Sequence, residues 1–316
     1  MRQKRFQNKV AESVGTLPVC AILATILWWW PQQAFTPSHI LGWGLCALTT
    51  YILMETNGIQ HIIRIRTRMM ASVWLVLASC LAFLHPLGTP SISAVCMAMS
   101  YYLLFRCYQL YDPTIWVFHS FLFLGIGSFF SAIMLPMGLF YFFYLIVFLR
   151  SLTWRGFWAG ILGMITPYWC WAIWCFVMDK TDNILEFVTT HFIWQPVSWP
   201  PQANLPFVWI VSMGVVSLLG FVGLVHYLQT KYNDKIRVRM ILYIYSIQTG
   251  ILFLYLLLQP NSFQSTMALF VISSCPLIAH YFALSRSWLS NAFFILSLFL
   301  CGAMAYFNLW MPSFSI

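Results

Sequence analysis

Residues 207–258 read FVWIVSMGVVSLLGFVGLVHYL (207–228), QTKYNDKIRVR (229–239) and MILYIYSIQTGILFLYLLL (240–258): two uninterrupted apolar runs on either side of a basic turn. A helix rises about 1.5 Å per residue, so a run of about 20 apolar residues matches the roughly 30 Å hydrocarbon core of a bilayer. Lys231, Lys235, Arg237 and Arg239 mark the turn between them as cytosolic, because basic residues accumulate on that side of a membrane.

The same pattern extends along the whole chain. Apolar runs near 14–30, 39–55, 69–85, 92–108, 114–131, 134–149, 156–178, 207–228, 240–258, 266–284 and 288–310 predict eleven helical spans. With the N-terminus inside, Arg2, Lys4, Arg5, Lys9, Arg64, Arg66, Arg68, Arg106, Arg150, Arg155, Lys231, Lys235, Arg237, Arg239 and Arg286 all become cytosolic. Only Lys180 is left outside, so charge supports the orientation and the odd number of spans together. The expected fold is therefore an all-α polytopic transmembrane helix bundle, N-in/C-out, forming a single membrane domain over residues 1–316. Runs 114–131 and 134–149 are short, meet near Pro136 and are flanked by Arg106 and Arg150. A re-entrant hairpin at 114–149 would lower the count to nine without disturbing the charge pattern.

Composition agrees with a chain dissolved in hydrocarbon. Hydrophobic residues make up 61% and charged residues 7%, against roughly 25% charged in soluble domains. The net charge of +9 is spread over short turns without interleaved aromatics, which argues against nucleic-acid binding. Nine cysteines lie in or at the ends of apolar runs with no CxxC or zinc spacing, so they read as small apolar fillers and no metal site is expected. P-loop, GxGxxG, HExxH and GxSxG motifs are missing, which disfavours nucleotide-driven and zinc-hydrolytic chemistry, and no cofactor is expected. The basic start resembles a signal peptide, but no small-x-small site follows Trp28-Trp29-Trp30-Pro31, and the first run reads as a retained span.

Within the spans, Gly156, Gly160 and Gly163, and Ser217, Gly220 and Gly223, form small-residue seams for close helix packing. Thr166-Pro167 should kink its helix. His119 and His280 lie deep in spans, where packing with one hydrogen bond is the plainer reading. After Glu55, Asn57-Gly58 should break the second span and lead into a short interfacial helix, 59–68, whose isoleucines enter the headgroup boundary. There Arg64, Arg66 and Arg68 would meet anionic lipid or, on a second reading, a phosphate-bearing substrate, with one of them pairing with Glu55.

The external connection 179–206 carries the candidate catalytic residues. Asp182 and Glu186 are four apart and share a helix face, as a carboxylate pair for acid/base work requires, although the plainer reading is that Asn183 or Asp182 caps a short interfacial helix and Glu186 completes a capping box. His191 lies off that face; His39 and His85 stand at external span ends from which they could join it. Trp194 and Trp199 read as headgroup anchors or as a platform for a sugar ring.

Arg150-Ser151-Leu152-Thr153-Trp154-Arg155-Gly156-Phe157-Trp158, followed by Gly163 and Thr166-Pro167-Tyr168, resembles a family of uncharacterised bacterial multi-pass inner-membrane proteins that carries a domain-of-unknown-function label. The likeness runs loosely from Tyr111-Asp112 to Tyr168. It implies a bacterial inner-membrane location and brings no activity with it. Three functions are compatible with this reading: an accessory subunit of cell-envelope assembly, partnered by the lipid bilayer and other envelope proteins; a lipid-linked glycan or envelope-polymer transferase or polymerase; and a transporter or flippase for an amphipathic substrate. A reporter fused after Ile316 is expected to be active only outside the cytosol; cytosolic activity alone would overturn the threading.

Overall fold

The computed structural model describes residues 5–30, 36–180, 187 and 205–310. Among these there are twelve α-helices and no strand. The helices are α1 Phe6–Glu12, α2 Thr16–Trp29, α3 Pro37–Gln60, α4 Met69–Cys80, α5 Thr89–Leu104, α6 Thr114–Ser128, α7 Met134–Val147, α8 Trp154–Val177, α9 Phe207–Thr230, α10 Ile236–Leu258, α11 Phe263–Leu284 and α12 Trp288–Trp310. Each of the eleven apolar runs corresponds to one of α2 to α12. Among the described residues five helices, α8 to α12, are long and apolar enough to cross a membrane, and a sixth span is counted if the bent pair α1 and α2 is taken as one.

The remaining runs differ from simple spans for local reasons. α1 and α2 meet at 95°, so the basic start lies across the end of the first apolar run rather than extending it. α4 has 12 residues, about 18 Å, because Leu81 turns extended and the chain continues as a 3₁₀ turn, Ala82–Leu84. α6 and α7 have 15 and 14 residues, about 22 and 21 Å. Pro136 falls in the first turn of α7, where its missing N–H leaves no bond unmade.

The expected break at Asn57-Gly58 does not occur. α3 runs through both to Gln60 and ends with His61 in the left-handed region at φ 51°. The reason is tertiary: Asn57 donates from Nδ2 to Thr67 O at 2.9 Å and accepts from Ile63 N at 3.3 Å, folding residues 61–68 back over the helix end. That segment is not helical, and Ile62 and Ile63 are buried in protein instead of lipid. No ion pair joins Glu55 to its arginines among the described residues.

Every residue from Ser265 to His280 in α11 is buried, and α1, α4, α5, α9 and α10 pack around that helix. Tyr101 of α5 hydrogen-bonds Ser273 of α11 at 2.9 Å, and its ring meets those of Phe105, Tyr141 and Tyr245. At the margin, α8 packs on α6 and α7 and turns Leu162, Trp169, Ile173 and Phe176 outward. An exposed apolar surface of this extent is stable only against hydrocarbon or another protein.

The basic segments converge at one end. Arg5 Nη1 donates to Arg286 O at 2.5 Å, Thr67 Oγ1 to Ala11 O at 2.5 Å, and Gln109 N to Leu149 O at 3.0 Å. Arg237 hydrogen-bonds Gln60 and lies 5.5 Å from the Tyr108 ring. At the Arg150 turn, Thr153 caps α8 by accepting from Gly156 N at 3.0 Å, and Trp154 and Trp158 are exposed, as expected of headgroup anchors. Nearby Asp112 bonds the Thr114 hydroxyl and amide, which with the Arg155 charge holds its carboxyl below the usual range.

Both glycine seams are close contacts. A Cβ at Gly163 of α8 would lie 2.3 Å from Phe118 O of α6, and one at Gly223 of α9 would lie 2.6 Å from Leu277 O of α11. Gly163→Ala and Gly223→Ala are therefore expected to cost about 1–3 kcal/mol each through forced helix separation. Gly214→Ala and Gly250→Ala, which meet nothing within 4 Å, should be neutral or stabilising by up to about 1 kcal/mol. Thermal melting in detergent distinguishes the two pairs.

Candidate functional site

Asp234 stands at the foot of α9, in the turn before α10. Lys231–Asn233 forms a 3₁₀ turn, and Asp234 N closes it on Lys231 O at 3.1 Å. This aims the carboxylate inward, where its side chain has no exposure. Burying a carboxylate costs several kcal/mol unless it is paired, and two groups from elsewhere in the chain supply the pairing. Oδ1 lies 2.7 Å from Arg64 Nε, off the N–H axis, so this contact is chiefly an ion pair. Oδ2 lies 3.1 Å from His280 Nε2, with both side chains fully buried.

A carboxylate only accepts hydrogen bonds, so Nε2 of His280 carries the proton and donates it to Oδ2. The other ring nitrogen, Nδ1, is buried without a hydrogen-bond partner among the described residues, as is Nδ1 of His226. Tyr227 meets the His280 ring edge-on at 5.9 Å and donates its hydroxyl to Arg239 O at 2.9 Å. His226 lies 5.6 Å from His280 and 5.1 Å from Tyr281. Arg64 is 37% exposed, which makes it the link between water and an otherwise enclosed carboxylate. The arrangement can hold a charge at the base of the bundle, and it leaves Nδ1 of His280 without a hydrogen-bond partner among the described residues.

Sequence reasoning found parts of this site. His280 was expected to make one hydrogen bond, and it does, to a carboxylate. Arg64, assigned to anionic lipid, is committed to Asp234, whereas Arg66 and Arg68 are exposed and free to face headgroups. Asp234 was missed although a signal existed: it is the lone acid in the basic turn 229–239. His119 lies exposed on α6 and bonds Ile115 O of its own helix at 2.7 Å. His85 stacks on Trp28 at 4.0 Å, and Trp28 Nε1 donates to His39 O at 3.3 Å, so these two histidines share one tryptophan. Asp182, Glu186, His191, Trp194 and Trp199 lie outside the described residues, so the structure does not test their convergence.

The fold and this cluster define an all-helical protein with helices able to cross a membrane and a buried carboxylate at the basic end. No family model, curated protein or solved structure matches the chain.

Removing the Arg64 side chain leaves a buried acceptor without its cation. Arg64→Ala is expected to cost about 1–3 kcal/mol, while Arg66→Ala and Arg68→Ala should change stability by less than about 0.5 kcal/mol. Equal effects at the three positions, measured by chemical or thermal unfolding, would remove the Arg64–Asp234 contact from the account.

Proposed function

We propose that this chain is a carrier for an amphipathic substrate, threaded eleven times through a bacterial inner membrane with its N-terminus in the cytosol, and that Asp234 and His280 are its proton-accepting pair. The observation that carries this reading is the fully buried Asp234 between Arg64 and His280. Carriers coupled to ion gradients require an ionisable group that is enclosed in the bundle yet reachable from water. Arg64, 37% exposed, brings the cluster into contact with water here.

The same observation ranks the alternatives. In a purely structural envelope subunit, a buried ion pair gains little over apolar packing of similar volume. The transferase reading rests on Asp182, Glu186 and the Trp194–Trp199 segment, outside the described residues, and no geometry supports it. The orientation is supported by the meeting of Arg5 with Arg286 and of Arg64 with the 231–239 turn at one end of the bundle.

Several groups surround His280. Asp234 and Arg64 approach from the connections, His226 and Tyr227 from α9, and Tyr281 neighbours it on its own helix; Arg239 of α10 joins through Tyr227. A substitution at Asp234 or His280 should therefore act through this set as a unit. The test is leaflet exchange of fluorescent phosphatidylglycerol in proteoliposomes under an imposed pH gradient. Wild-type protein is expected to accelerate exchange, and Asp234→Asn or His280→Gln to slow it about tenfold or more, a barrier increase of about 1.4 kcal/mol. Exchange no faster than in empty liposomes, or an Asp234→Asn rate equal to wild type, would overturn the proposal.

A further inference from the structure

On the far side of α11 from His280 lies a cavity of about 620 Å³, walled by α1, α2, α4, α11 and α12 with a contribution from α9. Ile278 and Phe282, four apart on α11, line it, whereas His280 between them points the opposite way, to Asp234. The volume falls within the roughly 300–1,000 Å³ typical of small-molecule sites. α2 and α12 both pack on α4, and Val19 of α2 and Leu298 of α12, which line the cavity, are exposed.

The chemistry of the wall selects the occupant. It is almost entirely apolar, and its hydroxyls are already engaged locally. Thr16 bonds Val10 O, Ser72 bonds Arg68 O at 3.1 Å, Ser297 bonds Phe294 O at 2.7 Å, and Ser13 accepts from Gly15 N at 3.1 Å. A polar solute would find few uncommitted donors in such a wall away from Lys9 and Ser13, and water needs two to four partners. A dry void of this size costs free energy in proportion to its volume unless hydrocarbon fills it. One charged side chain, Lys9, belongs to the lining, and it is exposed on α1, the helix laid at 95° across the end of α2. Arg5 and Arg286 meet beside it at the basic end of the bundle.

We infer that this cavity is a binding site for one anionic phospholipid, entered sideways between α2 and α12, with an acyl chain inside and the phosphate at Lys9. An apolar slot with a single cation at its mouth complements a chain with a single anionic head. The inference does not rest on the carrier reading, since occupancy is measured whether or not anything is transported.

The test is photolabelling of the full-length protein in nanodiscs with phosphatidylglycerol bearing a diazirine in its acyl chain, followed by peptide mapping. Label is expected to concentrate on α2, α4 and α12 facing the cavity. Val19→Trp and Leu298→Trp, at exposed positions of the lining, should lower it severalfold while leaving thermal melting unchanged. Lys9→Gln, which changes only an exposed side chain, should reduce the preference for phosphatidylglycerol over phosphatidylcholine about fivefold. Competition by glycerol phosphate should be absent, because the chain and not the free head provides the hold. Label as heavy on lipid-facing α8 as on the cavity walls, Trp variants labelled as wild type, unchanged lipid preference in Lys9→Gln, or displacement by glycerol phosphate would each overturn the inference.

Discussion

Enclosure of α11 is the constraint on which the rest of the structure depends. A helix buried along sixteen successive residues, Ser265 to His280, needs neighbours on all sides, and α1, α4, α5, α9 and α10 provide them. The close approach of α9 follows from Gly223, whose missing Cβ lets the α11 backbone come into contact. Where lipid is the solvent, apolar side chains gain little by meeting one another, so shape and small residues decide which helices adjoin. Polar contacts such as Tyr101–Ser273 then fix α11 against its neighbours.

That same helix separates two environments. One face carries His280 toward a buried carboxylate tied to water through Arg64; the other carries Ile278 and Phe282 into an apolar cavity. Successive helical positions turn by about 100°, so residues two apart point nearly oppositely, and a single strip of α11 can serve a charge on one side and a hydrocarbon chain on the other.

Much of the fold was legible because hydropathy responds to the surrounding solvent one residue at a time. Each apolar run between 14 and 310 became a helix, and the basic turns met at one end, as Arg5–Arg286 and Arg64–Asp234 illustrate. The errors occurred where distant segments outvoted local pattern. Asn57-Gly58 reads as a helix stop, yet Asn57 serves as a hydrogen-bonding post for residues 63 and 67 and the helix continues. Arg64 reads as one of three equivalent lipid-facing arginines until Asp234, 170 positions away, selects it.

Taken alone, the sequence determined the all-helical class, the membrane-compatible length of α8 to α12, the glycine seams and the clustering of positive charge, because each depends on composition or on spacing within one helix. Tertiary structure alone decided that α1 lies across α2, that Asp234 is buried between Arg64 and His280, and that an apolar cavity forms among α1, α2, α4, α11 and α12. Those features arise from contacts between segments far apart in the chain, whose partners no local pattern of hydrophobicity or charge can name.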